Sequence, residues 1–170
     1  MTSFQIAALT LAAVAMAWDL KTRRIPNVLT FGGAIVAVAA STYIDGAPGL
    51  GWSLAGWLVG LVFFLPMFAL GGMGAGDVKL LAALGALLGP AAVVWVALFS
   101  LLAGGILGLA VAIGYGYLTQ AFTNIWWMFR FWRAEGPKPV PEVTLATHSG
   151  PRLAYAVPVF AGLVVALWLK

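Results

Sequence analysis

Apolar residues run along this chain in long stretches, and the polar breaks between them are short. Residues 1 to 18 carry no charge, 28 to 44 form a second run and 52 to 70 a third, with Asp45-Gly46-Ala47-Pro48-Gly49 as the turn between the last two. A membrane-spanning helix needs about 20 apolar residues, with roughly 17 as a practical minimum. The uncharged stretch from Leu80 to Phe129 exceeds what one helix uses, so it contains a hairpin. Its turn is placed at Gly89-Pro90, since the residue before proline avoids the helical region and proline starts a helix well. A turn nearer Ser100 is the alternative, and either choice leaves entry and exit on the same side. The fourth helix is then short, starting at Asp77, and the fifth is long, ending near Tyr117. Residues 153 to 169 form the last span. The pattern predicts an all-α, polytopic membrane protein of about six transmembrane helices, with residues 1–170 as a single domain.

Composition agrees with that class. The chain is 63% hydrophobic and 8% charged, with a mean hydropathy of +1.03, whereas about a quarter of the residues of a soluble domain are charged. Its net charge of +4 does not point to nucleic acid, because the basic residues sit between apolar spans instead of forming a patch on a folded surface. Lys21, Arg23 and Arg24 fall in the first loop, Lys79 beside the third-to-fourth connection, and Arg130, Arg133, Lys138 and Arg152 in the long fifth loop; only Lys170 lies opposite. The positive-inside rule then puts those three loops in the cytoplasm and both termini outside. Ala15-Met16-Ala17 has the form of a signal-peptidase site, but positive charge follows the apolar stretch instead of preceding it, which argues against cleavage there.

Three further features complete the organisation. The aromatic and basic segment from Phe122 to Arg133 suits an interfacial helix, or an extension of helix five, on the cytoplasmic surface. Gly136 to Pro151, rich in proline and polar residues, reads as a flexible loop. Small-residue pairs at Gly56/Gly60, Gly85/Gly89 and Gly104/Gly108 favour close helix packing, within the chain or in a homo-oligomer.

The candidate chemistry lies in two aspartates. Asp19 and Asp77 border apolar spans, beside basic and glycine-rich segments respectively, and the predicted topology gives them one membrane depth. Ionisable residues in such places are costly and read as functional by default. Two carboxylates can hydrolyse a peptide bond without a metal, a cofactor or a covalent nucleophile. One, ionised, takes a proton from water while the other, protonated, polarises the carbonyl, because two like charges a few ångströms apart share one proton. Gly74 and Gly76 are assigned to shaping the site, by letting the backbone unwind and a substrate strand approach Asp77. The chain has no cysteine, and its lone His148 excludes a histidine-rich metal centre. Ion pairing of Asp19 with Lys21 and of Asp77 with Lys79 is the structural alternative, and a proton-coupled transporter or a non-catalytic assembly subunit are the functional ones.

Two segments also resemble a known family. Asp19-Leu20-Lys21-Thr22-Arg23-Arg24-Ile25-Pro26-Asn27 is similar to the Asp-x-x-x-x-x-Ile-Pro-Asn segment of type IV prepilin peptidases, and Gly74-Ala75-Gly76-Asp77-Val78-Lys79 to their Gly-x-Gly-Asp-x-Lys signature. Leu153 to Pro158 resembles the start of the family's last helix, with Ala154 in place of a proline. The resemblance implies an intramembrane aspartic endopeptidase that removes the basic leader of prepilins at the cytoplasmic face of the bacterial inner membrane, with Asp19 and Asp77 catalytic. It implies a prepilin substrate, a lipid environment, and no metal, cofactor or nucleic acid. The size is similar to the small peptidases of tight-adherence (Flp-type) pilus systems, with the archaeal preflagellin peptidases as second choice. A chain beginning at the first catalytic helix and lacking paired cysteines is expected to cleave without methylating.

Smaller roles follow. Lys79 is read as tuning Asp77, meeting substrate carbonyls or snorkelling to water. Pro26 and Asn27 are read as the start of helix two, with proline in its first turn. Glu135, Glu142 and His148 are read as solvated loop residues.

Overall fold

The computed structural model describes residues 1–116, 118–140 and 153–169, and these form six helices and no strand. They are α1 (Ser3–Thr22), α2 (Asn27–Ala69), α3 (Ala75–Leu88), α4 (Pro90–Gly114), α5 (Leu118–Glu135) and α6 (Ala156–Trp168). The protein is thus all-α, and α1, α2 and α4 are long and apolar enough to cross a membrane. The expectations for Tyr117, Glu142, His148, Arg152, Lys170 and most of the 136–151 loop lie outside the described residues.

Local chemistry sets the helix ends. At the start of α1, Gln5 N–H donates to Thr2 Oγ1 (3.3 Å) and Thr2 N–H to Gln5 Oε1 (2.8 Å), which satisfies two otherwise orphaned donors. The helix runs past Trp18, so Asp19 and Lys21 are helical, and it stops where Arg23 takes a left-handed conformation (φ 55°). Pro26 precedes α2 as its N-cap instead of occupying its first turn.

The expected turn at 45–49 is compressed to one residue. Only Gly46 (φ 64°, ψ −142°) leaves helical geometry within α2, and Pro48 fits the first turn of the arm that follows. A straight helix of 43 residues would be about 65 Å long. Yet Asn27, at one end, hydrogen-bonds Lys79 of α3, and Ala69, at the other, lies just before α3 in the chain. A Cβ at Gly49 would also collide with the carbonyl of Ser41 across the break. So α2 is a helical hairpin with arms 27–45 and 47–69. The second hairpin turns at Gly89 (φ 82°) with Pro90 opening α4, where the sequence placed it.

These reversals give the bundle two ends. Thr2, Asp45, Pro48, Leu88, Ala92 and Leu167 line one cavity of about 750 Å³ at the distal end. Asp19, Asn27, Asp77 and Ala156 meet at the other. The central helix is α3, with Asp77, Val78 and every residue from Leu80 to Ala86 buried. It lies there because Gly56 and Gly85 bring the backbones of α2 and α3 into direct contact, with Gly60 set against Leu81 and Ala82. Ser53 Oγ donates to the Ala86 carbonyl (2.8 Å) in the same seam. The predicted Gly56/Gly60 and Gly85/Gly89 stripes are therefore occupied within the chain. On the other side, Gly162 admits Ser100 and Gly104 admits the ring of Tyr155, which closes α4 on α6.

On α1 residue size is sorted opposite to a soluble protein. Ala8, Ala12, Ala15 and Asp19 form its buried stripe, while Ile6, Trp18 and Leu20 point outward. A bundle in lipid gains nothing by hiding large apolar side chains and packs through small ones. The last helix is shorter than the predicted 153–169 span: its 13 residues cover about 20 Å, less than the roughly 30 Å hydrocarbon layer. Likewise α4 ends at Gly114, short of Tyr117.

The α2–α3 seam yields a stability prediction. Gly85→Val would drive a side chain into the Gly56 backbone and should cost about 1–3 kcal/mol, read as a lower thermal midpoint in detergent. Gly105→Val, where an added Cβ meets nothing within 4 Å, should leave the midpoint unchanged.

Candidate active site

Asp19 belongs to the buried alanine stripe of α1, so helical register turns its side chain inward. It is 6% exposed, and its Oδ2 accepts the N–H of Ala156 (3.3 Å) in the first turn of α6. The first turn of a helix carries N–H groups with no partner inside the helix, and a carboxylate satisfies them. Asp19 thereby joins the end of α1 to the start of α6.

Asp77 is held by the same device at the start of α3. Gly74 is the N-cap and Asp77 the third helical residue, so its carboxylate reaches back to the Gly74 N–H as well as to its own. Three helix ends converge here, and the two carboxylates are close enough to act on each other electrostatically. Tyr155, at the N-cap of α6, is within electrostatic reach of Asp77 and packs edge-on against Phe64 at 5.9 Å between centroids. Among the described residues, no three histidine, aspartate or glutamate side chains gather where they could hold a metal ion.

The glycines divide their work differently from the sequence expectation. Unwinding belongs to the 71–74 segment, where Gly71 takes φ 76° and Gly74 is extended. Gly76 is helical, and it serves close packing instead: a Cβ there would stand 3.2 Å from Cβ of Ile25. At Gly74 a Cβ would stand 3.0 Å from Oδ2 of Asp77, so the absence of a side chain leaves that oxygen clear.

Lys79 also has a structural assignment. Its Nζ donates to Oδ1 of Asn27 (3.0 Å) and lies 5.0 Å from the centre of the Phe31 ring, both on α2. The two sequence segments are therefore interlocked by Ile25 on Gly76 and by Asn27 with Lys79. The sequence favoured a helix-starting role for Asn27 over substrate contact, and nothing in its local pattern announces a partner 52 residues away. The resemblance at 153–158 marked the start of the last helix but gave neither Tyr155 nor the Ala156 N–H a part in the site.

The protein is thus a helical membrane protein in which two buried carboxylates lie within electrostatic reach of each other where three helix ends meet. The sequence matches the type IV leader peptidase family over residues 6–109, a stretch that contains most of α1, all of α2 and α3, most of α4 and both aspartates. The chain belongs to that family, and is a peptidase by that membership. No curated protein and no solved structure matches it. Helices α5 and α6 lie beyond the matched residues, so the donor that Ala156 gives Asp19 comes from outside the family match.

The interlock is testable by a double-mutant cycle. Asn27→Ala and Lys79→Met should each lower the unfolding free energy in detergent, and the pair should show a coupling of about 0.5–1.5 kcal/mol, as one hydrogen bond would give. Strict additivity would mean that the two side chains do not act on each other.

Proposed function

We propose that the protein is an aspartic endopeptidase that removes the short basic leader of prepilins, with Asp19 and Asp77 as its catalytic pair. The observation that carries this reading is the meeting of these two buried carboxylates, from segments far apart in sequence, at one end of a membrane bundle. One carboxylate, ionised, removes a proton from a water molecule held between the two. The other, protonated, donates a hydrogen bond to the scissile carbonyl, whose carbon the water oxygen attacks. Collapse of the tetrahedral adduct breaks the C–N bond and delivers a proton to the leaving amine, which returns the pair to a single shared proton.

The substrate class follows from the surroundings. Lys21, Arg23, Arg24 and Lys79 flank the carboxylate end, while the turn at the distal end carries Asp45, and this asymmetry supports a cytoplasmic site with the N terminus outside. The 71–74 turn interrupts the helices beside Asp77 and leaves Gly74 extended next to the site, where a peptide in cleavable conformation can approach the backbone. The bacterial inner membrane, pilus biogenesis and a small Flp-type pilin as substrate are the setting in which this chemistry fits best.

Leader removal from a co-expressed small prepilin, read as a gel shift with membrane levels checked, tests the pair. Asp19→Asn and Asp77→Asn should each reduce cleavage to background at normal protein levels; cleavage surviving either substitution would overturn the two-carboxylate mechanism. Gly74→Ala pushes a methyl group against Asp77 Oδ2 and should lower kcat by up to about 100-fold, the scale of a misplaced reacting group. Its thermal midpoint should stay close to that of the wild type.

A further inference from the structure

Helix α5 buries none of its residues in the protein, although Phe122, Ile125, Trp126, Trp127 and Phe129 are all apolar and exposed. It departs from the end of α4 through Gly116 (φ 68°), so it is a separate element and not a continuation of that helix. One edge faces the bundle: Met128 and Trp132 line a cavity of about 240 Å³ with Met67, Leu70 and Gly72, and Trp132 Nε1 donates to the carbonyl of Lys138, just beyond α5 (2.9 Å). This edge adjoins the 71–74 segment that leads to Asp77.

The neighbouring face has no partner among the described residues. Phe122, Ile125, Trp126 and Phe129 follow helical spacing and line a shallow groove with Arg130 and Arg133. Gln120 and Asn124 pair with each other away from that groove (3.0 Å). Aromatic and aliphatic groups flanked by arginines, with two amides and Trp127, whose ring Arg130 covers at 5.9 Å, on the far side, match the layered polarity of a leaflet surface, where acyl chains lie next to phosphates and indole rings next to headgroups. A second copy of this face would set arginines against arginines, whereas an anionic headgroup layer complements them. The outer face of α4 is likewise apolar, with Ile106, Leu109 and Ile113 exposed.

We propose that α5 docks in the headgroup layer of an anionic bilayer leaflet, with Phe122, Ile125, Trp126 and Phe129 at the acyl boundary and Arg130 and Arg133 on lipid phosphates. The docked helix forms one fixed wall of the cavity beside the 71–74 segment. This inference does not rest on the peptidase reading.

The absence of cysteine in the sequence makes a clean test available. Phe129→Cys and Asn124→Cys are each spin-labelled in the full chain, with one copy per nanodisc, and collision with oxygen and with a water-soluble nickel complex is measured. In discs containing phosphatidylglycerol, the label at 129 should meet oxygen more and nickel less than the label at 124. Equal nickel accessibility at both positions would overturn the proposal, and so would protection of position 129 from both probes. In purely neutral discs the label at 129 should sit shallower. Adding Arg130→Gln and Arg133→Gln to Phe129→Cys should abolish that difference between lipids, and its persistence would remove the phosphate contacts from the proposal.

Discussion

The contact of Gly56 with Gly85 is the constraint on which the remaining geometry depends. With no side chain on either residue, the backbones of α2 and α3 touch, and α3 sinks far enough to be buried along nearly its whole length. A helix so placed meets α1, α2, α4 and α6 together. Its first turn, and Asp77 with it, is thereby delivered to the junction of the bundle instead of to its rim. A larger residue in the seam would push α3 outward and separate Asp77 from Asp19 without altering either aspartate.

Burying two carboxylates among apolar helices costs several kcal/mol unless donors replace the lost water. This protein supplies them from the backbone, using helix starts whose N–H groups would otherwise be unpaired: Ala156 for Asp19, and Gly74 for Asp77. Backbone donors have no rotamers to lose, so the carboxylates are held in position without engaging side chains that would fill the space around them. The lysine nearest to Asp77 in sequence is directed to Asn27 and Phe31, which makes it a brace between α2 and α3. The glycine-rich turn and the Ile-Pro-Asn segment thus form one mechanical unit, with Ile25 seated on Gly76.

The exterior obeys the same physics with the opposite sign. Many large apolar side chains on α1, α2 and α4 face outward because lipid solvates them as well as protein does, and alanine, glycine and serine make the close helix contacts around a core that holds Phe64, Leu80, Leu81 and Leu84. Exposed apolar surface on α5 continues this pattern past the end of α4, but with arginines interleaved, as befits a boundary between acyl chains and water.

By itself the sequence determined the class and the second hairpin turn, and it singled out the two aspartates that the fold brings to one end of the bundle. Each of these rests on short-range rules: runs of apolar residues, the conformational limits of Gly89-Pro90, and the rarity of charge beside a span. Where the sequence left a five-residue turn at 45–49, a single glycine suffices, because helical hydrogen bonding persists on both sides of it. Only the tertiary structure decided that Gly76 packs against Ile25 while unwinding falls to 71–74, that Lys79 binds Asn27, and that the start of α6 provides the donor to Asp19. Those pairings join positions from 51 to 137 residues apart. No local pattern encodes them, since they arise from how three helix ends stack once the small-residue seams have set the distances between helices.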